Sequence, residues 1–222
     1  MISLAAEPAR AQSTRASRIP RERRRVLIVD DHAAMRSGLE RLLADQDDFD
    51  VVAAVASAKA ALSVAQQQQV DVAVVDYELG GHNGLWLSRK LKRMPRPPAV
   101  LIYSAYTDEV LAAAAVVAEA DGILGKGGLG AELTDAIRAV AHGRTVLPPI
   151  PPWLGDALRR RLDHEEQAIF GMLLAGIELD EIAAMLDLTA AELEARLWEM
   201  LRILEGRRAD PRENRAGRTN DV

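Results

Sequence analysis

The chain has 222 residues, 49% of them apolar and only 4% aromatic, which is enough for one large or two small domains with aliphatic cores. The absence of cysteine excludes disulfides, zinc–thiolate sites and thiol nucleophiles, and no apolar run reaches transmembrane length. The net charge of −5 combines two basic ends with an acidic middle. These features favour a cytoplasmic protein without membrane contact, and residues 1–24 are predicted to be a disordered basic extension.

Five short apolar runs alternate with helical patterns in the first two thirds of the chain. Continuous apolar runs of this length suit strands that are buried on both faces of a parallel sheet. Strands are predicted at 25–30, 49–55, 70–76, 99–104 and 121–126, and helices at 33–44, 57–67, 83–94, 107–119 and 129–142. Ser57 and Thr107 are the expected N-caps. The alternation predicts a doubly wound α/β domain over residues 25–142, with five strands and five helices.

A proline-rich stretch follows this domain. Four prolines lie within residues 148–152, and proline neither continues a helix nor fits a central strand. Residues 143–155 are therefore predicted to be a semi-stiff linker.

Only helical patterns occur beyond the linker, over residues 156–206. Capping boxes are predicted at Asp163 and at Thr189, and Gly206 is expected to end the last helix. A helix, a short helix and a longer helix joined by tight turns predict a small all-α helix-turn-helix domain. Residues 207–222 are predicted to be a basic, disordered tail.

Polar residues occupy the predicted carboxyl ends of four strands. Asp30 and Asp31 end the first strand, Asp76 the third, Ser104 the fourth, and Lys126 lies near the end of the fifth. Because ligands gather at this edge of a parallel sheet, we expect these groups to share one crevice. Three neighbouring carboxylates repel one another, and their oxygens suit Mg²⁺.

A carboxylate beside Mg²⁺ and a lysine can attack a phosphoryl group, since both cations neutralise charge on the equatorial oxygens. Glycines follow Asp76 closely, at Gly80 and Gly81. They leave room for a phosphoryl group and let backbone N–H groups face it. The strand thus fixes the nucleophile, and the open loop admits the substrate.

With these motifs the chain resembles the receiver domain of two-component response regulators over about residues 24–145. The resemblance rests on four stretches: "VDDH" (29–32), "VVDYELGGHNG" (74–84), "YSA" (103–105) and "ILGKGG" (123–128). It implies that Asp76 accepts a phosphoryl group from a histidine kinase. It also implies a Mg²⁺ site formed by Asp31, Asp76 and the backbone carbonyl of Glu78, positioned by Asp30. No enzyme activity is expected beyond turnover of this phosphoryl group.

By the same resemblance, Ser104 and Lys126 read the phosphorylated state, and the phosphorylated chain forms a homodimer. The sequence departs from the pattern at two positions. Gly80 stands where members often have proline, and Ile123 stands where they usually have a tyrosine or phenylalanine that swings inward. Because Ile123 cannot swing in this way, we expect switching to act mainly through Ser104.

Residues 160–205 resemble the helix-turn-helix output domain of the LuxR/NarL type, whose apolar spacing they follow. Trp198 is assigned to the core rather than to an interface. The other predicted core residues are Ile169, Leu173, Ile182, Ala183, Leu186, Leu188, Leu193, Leu197 and Leu201.

The predicted DNA-facing surface of this domain is acidic. Asp180 and Glu194 stand where the resembled family usually has lysines, and Glu199 adds a further acid. Phosphate contacts dominate affinity for DNA, so this surface is expected to meet repulsion. The candidate DNA contacts are Arg196, Arg202 and Glu194, since a glutamate can accept a hydrogen bond from cytosine.

Two functions follow as alternatives. The first is a response regulator that controls transcription by binding duplex DNA, with the basic ends of the chain as a second source of phosphate contacts. The second is a response regulator whose helical domain no longer binds DNA and instead docks a protein.

Overall fold

The computed structural model of the protein describes residues 23–151, 153–154 and 161–208. Five parallel strands form one sheet in the order β2-β1-β3-β4-β5. The strands are β1 (Arg24–Val29), β2 (Phe49–Val55), β3 (Val72–Asp76), β4 (Ala99–Ser104) and β5 (Gly122–Gly125). The helices that follow them are α1 (Ala33–Ala44), α2 (Ala58–Gln67), α3 (Gly84–Lys92), α4 (Glu109–Val117) and α5 (Gly130–Ala141). The prediction of a doubly wound α/β domain is confirmed.

The central strands are buried on both faces, as their continuous apolar runs predict. Every residue of β3 is buried. Alternate side chains of β1 enter different clusters, with Leu27 and Val29 on one face and Val26 and Ile28 on the other. Both clusters are filled almost entirely by aliphatic side chains, as the composition requires.

One of the two predicted N-caps is correct. Ser57 accepts a hydrogen bond from the backbone N–H of Ala60 at the start of α2. The Thr107 prediction is wrong, because Asp108 caps α4 and accepts from the backbone N–H of Leu111 at 2.7 Å. Adjacent threonine and aspartate are both good caps, and the start of the helix at Glu109 selects the residue directly before it.

Three helices follow in the C-terminal part that the structure describes: α6 (His164–Leu174), α7 (Leu179–Met185) and α8 (Ala190–Arg208). The two predicted capping boxes, at Asp163 and Thr189, are present. Gly206 does not end α8, contrary to the prediction. Unlike Gly176 after α6, which has φ +74°, Gly206 is not in the left-handed region that ends many helices.

The C-terminal helices share one core with the α/β domain. In α4 seven of the nine residues are buried, because the sheet covers one side of the helix and α8 covers the other. Five apolar residues of α8 belong to the same cluster as this face of the sheet: Leu193, Leu197, Met200, Leu201 and Leu204.

The first part of the predicted linker packs against the α/β domain. Val146 forms a bridge with Gly122 at the edge of β5, and its carbonyl accepts from the N–H of Ile123 at 2.8 Å. Leu147 and Ile150 pack against the core. The domain boundaries at 24, 142, 155 and 206 stay predictions. Among the described residues, no helix is both long and apolar enough to cross a membrane.

Candidate functional site

Four of the polar residues predicted to meet at the strand ends lie together there. Asp30 follows β1, Asp76 ends β3 and Ser104 ends β4, and each is at least 96% buried. Lys126 follows β5 and is brought beside Ser104, since its backbone N–H donates to the Ser104 carbonyl at 2.8 Å. These four residues, together with Asp31, are called the acidic pocket below.

Lys126 joins two of the carboxylates. Its Nζ lies 2.7 Å from Oδ2 of Asp30 and 2.8 Å from Oδ2 of Asp76. Asp31 is less enclosed, with 37% of its side chain exposed. The acidic pocket thus holds three carboxylates against one ammonium, and positive charge is in deficit.

The protonation equilibria of the acidic pocket reflect its burial. Burial raises the pKa of Asp76 above its ordinary value, although the Lys126 ammonium opposes this shift. Burial alone would lower the pKa of Lys126, but its hydrogen bonds to Asp30 and Asp76 raise it instead. Lys126 therefore stays charged at neutral pH, where it favours the carboxylate form of Asp76.

The carboxylates of the acidic pocket are arranged so that a divalent cation fits among them. One ligand atom each from Asp30, Asp31, His32 and Asp76 lies within 4.8 Å of the others. Hard carboxylate oxygens, with one side of the group open to water, suit Mg²⁺. His32, for which the sequence predicts no role, lies with its Nδ1 2.7 Å from Oδ1 of Asp31.

The loop between β3 and α3 has open space around its two glycines. No atom lies within 4 Å of where a side chain would begin at Gly80 or Gly81, and Gly81 has φ +98°. The backbone N–H of Glu78 donates to Oδ1 of Asp76 at 3.3 Å. The loop therefore has open space around its two glycines, and one of its N–H groups already faces the carboxylate of Asp76.

Ser104 of the acidic pocket ends β4, and Ile123 lies in the neighbouring strand β5. The Ser104 Oγ accepts from the backbone N–H of Tyr106 at 3.2 Å. Ile123 is 94% buried in the core. The hydrogen bond from Tyr106 ties the hydroxyl of Ser104 to the backbone that leads into α4. The side chain of Tyr106, by contrast, is largely exposed.

Residues 26–138 match the response regulator receiver domain family. The chain belongs to this family. Its acidic group of Asp30, Asp31 and Asp76 is typical of the magnesium site of receiver domains. Response regulators of this kind are not enzymes beyond the phosphorylation of their own receiver.

The relatives of this response regulator are of the LuxR/NarL type over most of the chain. The response regulator UvrY of Escherichia coli is 28% identical over 185 residues, which cover 79% of this chain and 85% of that protein. The DNA-binding transcriptional activator DevR/DosR of Mycobacterium tuberculosis is 32% identical over 170 residues, 72% of this chain and 78% of the relative. A LuxR-family response regulator from Aurantimonas sp. SI85-9A1 has a crystal structure with 28% identity and a TM-score of 0.54, covering 63% of this chain and 99% of that one.

In this response regulator the candidate DNA contact Glu194 faces the receiver. Its carboxylate binds the guanidinium groups of Arg89 in α3 and of Arg93, which directly follows α3, at 2.9 Å in the case of Arg93. Both arginines also bind Glu119, at 2.8 and 2.6 Å. These four residues are called the arginine cluster below. Glu194 is only 28% exposed, so it is less accessible than the sequence suggested.

Arg89 is the buried centre of the arginine cluster. It is fully buried, and its guanidinium also donates to the carbonyl of Val117 at 3.2 Å. Burial lowers its pKa, although Glu119 and Glu194 oppose this. Sequence reasoning missed this residue, because "RKLKR" at 89–93 reads as an ordinary basic end of an exposed helix.

The other two candidate DNA contacts are also paired. Arg196 lies 2.9 Å from Asp163 and 2.6 Å from Glu165 at the start of α6. Arg202 donates to Glu199 on its own helix. Trp198, which was predicted to be a core residue, is partly buried: it packs against the core cluster, and Arg89 and Lys90 of α3 lie over its ring. The roles of Glu194, Arg196 and Arg202 in nucleic-acid binding stay predictions.

Proposed function

We propose that this protein is a cytoplasmic response regulator that accepts a phosphoryl group on Asp76 from a histidine kinase and controls transcription through its helix-turn-helix domain. The observation that carries the proposal is the buried Asp76 carboxylate, held 2.8 Å from Lys126 beside an open glycine loop. The relationship to a protein named as a DNA-binding transcriptional activator supports the output.

The phosphoryl transfer follows from the acidic pocket. A carboxylate oxygen of Asp76 attacks the phosphorus of a phosphohistidine, an O–P bond forms, and the P–N bond to the imidazole breaks. Lys126 offsets the negative charge that builds up on the transferred group. Asp31, Asp76 and the backbone carbonyl of Glu78 would hold Mg²⁺, which would supply further positive charge there. Water later hydrolyses the acyl phosphate, which releases inorganic phosphate and restores the carboxylate.

The output step requires α8 to leave the receiver. Glu194 lies in the arginine cluster, and the apolar face of α8 covers α4. Duplex DNA therefore has no access to this face of α8 in the docked arrangement. We propose that phosphorylation favours an undocked homodimer that binds DNA. The basic ends, which fall mostly outside the described residues, would contribute phosphate contacts.

One observation favours the second candidate, a helical domain that docks a protein. Within α8 up to Gly206 the arginines are Arg196 and Arg202, and both are paired with carboxylates. Asp180 is exposed and adds to the acidic surface of the domain. An acidic surface with few uncompensated cations is a poor ligand for phosphate.

Both candidates are tested with the full chain. A small acyl phosphate with Mg²⁺ should add one phosphoryl mass to the chain but not to the Asp76→Asn variant. The phosphorylated chain should then enrich particular sequences from a pool of random duplexes. Equal labelling of both chains would contradict the assignment of Asp76. Labelling without enrichment at moderate salt would favour the protein-docking candidate.

A further inference from the structure

The loop that follows the phosphorylation site contacts the output helix directly. The side-chain amide of Asn83 donates a hydrogen bond to Glu205 of α8. The Oδ1 of the same side chain accepts from the backbone N–H of Trp86 at 2.8 Å and so caps α3. One residue of the β3–α3 loop therefore holds both the start of α3 and the end of α8.

A second contact runs along the exposed face of α3. The rings of His82 and Trp86 are stacked, with centroids 3.9 Å apart and an angle of 8° between their planes. The Nζ of Lys90 lies 5.7 Å from the centroid of Trp86 and 5.3 Å from that of Trp198 on α8. A cation between two aromatic rings is attracted to both. These four residues, called the aromatic column below, connect the loop to the middle of α8.

The start of α3 is pressed against the backbone of Asp76. A side chain at Gly84 would begin 2.4 Å from the carbonyl oxygen of Asp76, which leaves no space between them. The backbone N–H of Gly84 also donates to the carbonyl of Tyr77 at 2.8 Å. A change in the backbone after Asp76 must therefore displace the first turn of α3, including Asn83.

We propose that phosphorylation of Asp76 releases α8 through the β3–α3 loop, by breaking the Asn83–Glu205 contact and the aromatic column. This rests on the proposed function of Asp76. A phosphoryl group adds charge of roughly −1.5 to −2 and three acceptor oxygens beside the N–H of Glu78. The new oxygens attract the N–H groups of the loop, which has open space around Gly80 and Gly81, and the shift of the loop takes Asn83 away from Glu205.

This route does not need a moving aromatic at position 123. Ile123 is buried in the core, and Ser104 is bonded to the backbone before α4 rather than to the loop. The signal from the loop thus reaches α8 without passing through Ser104 or Ile123, which departs from the expectation that switching acts mainly through Ser104. Positions that link the two ends are Asn83, Lys90 and Glu205, and none of them is part of the acidic pocket.

The test uses the reciprocity of coupled equilibria. If occupation of the acidic pocket releases α8, then weakening the α8 contacts must tighten binding at the pocket, by at most the factor that couples the two equilibria. Beryllium trifluoride, a non-covalent phosphoryl mimic that binds at equilibrium, is titrated into the full chain with Mg²⁺ by calorimetry. The Lys90→Ala/Glu205→Ala chain should bind it roughly 5-fold more tightly, at the lower end of ordinary coupling factors.

Two matched chains sharpen the result. Lys92→Ala/Glu199→Ala removes the same charges from the same helices, but Lys92 pairs with Asp121 and Glu199 with Arg202, so its affinity should not change. Because the chain has no cysteine, Asn83→Cys/Glu205→Cys accepts a short bis-maleimide only at these positions. Cross-linking should weaken binding of the mimic relative to the same chain capped with a monofunctional maleimide.

The outcomes separate this inference from the function on which it rests. If the chain is phosphorylated at Asp76 but all variants bind the mimic equally, the loop and α8 are uncoupled and the inference is wrong. If both double-alanine chains tighten equally, the effect is one of net charge, and the inference is also wrong. If the unaltered chain neither binds the mimic nor accepts a phosphoryl group, the proposed function fails, and the coupling fails with it.

Discussion

The acidic pocket and the arginine cluster both bury charged groups, but their balance of charge differs. The acidic pocket sets three carboxylates against one ammonium, whereas the arginine cluster pairs two guanidinium groups with two carboxylates. The balanced cluster gives each charge an opposite partner and joins α3 to α8, although the buried Nε of Arg89 has no hydrogen-bond partner among the described residues. An unbalanced one is left with a need for positive charge, which a metal ion meets. The difference distinguishes a site that is ready for chemistry from one that is built for docking.

The largest expected effect comes from removing the nucleophile of the acidic pocket. Asp76→Asn should abolish labelling by an acyl phosphate in the presence of Mg²⁺, as measured by intact mass, because the amide cannot form the acyl phosphate. Asp135→Asn is the control, since Asp135 is an exposed aspartate of α5 far along the chain. Labelling of the Asp76→Asn chain to the extent of this control would show that another residue is the acceptor.

Breaking the arginine cluster at its centre should lower stability. Arg89→Ala leaves Glu119 and Glu194 without their buried partner, and we expect the free energy of unfolding to fall by about 3 kcal/mol. The measurement is chemical denaturation followed by circular dichroism. Arg93→Ala, at a side chain that is 37% exposed, should cost at most about 1 kcal/mol. Equal losses in the two variants would mean that burial does not distinguish them.

Reversing the charge of Glu194 should open the docked arrangement. Glu194→Lys places a third cation beside Arg89 and Arg93, and it also adds positive charge to α8. We expect binding to duplex DNA to rise roughly tenfold, a factor within the usual range for coupled sites. Binding is measured by fluorescence anisotropy at several salt concentrations.

Glu199→Lys is the matched control, because it makes the same charge change on α8 outside the arginine cluster. A smaller gain in the control would show that release of α8 contributes beyond charge alone. A loss of sequence-specific binding in Glu194→Lys would instead identify Glu194 as a base-reading residue.

The smallest expected effect is at Asp163, an exposed charged residue. It serves as a reference for the buried charges of the acidic pocket and of the arginine cluster. Asp163→Ala removes the cap of α6 and should cost about 1 kcal/mol at neutral pH. The backbone N–H of Glu166 holds the pKa of Asp163 below its ordinary value, so its contribution is full above that ordinary value and is lost as pH falls through the lowered one. Denaturation of both chains at neutral and at strongly acidic pH should show the difference disappear.

The sequence predicts the acidic pocket well, because each of its residues ends an apolar strand and parallel strands bring their ends together. It does not predict the arginine cluster. Arg89 and Glu194 lie 105 positions apart, and neither periodicity nor charge marks them as partners. The same limit applies to Trp198, because its helical spacing alone does not distinguish a core position from a position in an interface. The error at Thr107 is of another kind, since two adjacent residues suit the same cap.

The alanines of α4 have a practical consequence for anyone who divides this chain. Ala112, Ala113, Ala114 and Ala115 are almost completely buried between the sheet and α8, and the helix has a single charged residue, Glu109. A fragment that ends after α5 would present this helix to water with a smooth apolar stripe of small side chains. Such a stripe favours close helix-to-helix contact between molecules. Truncated receivers should therefore self-associate as their concentration rises, and a dimer seen only in the fragment would report the missing α8.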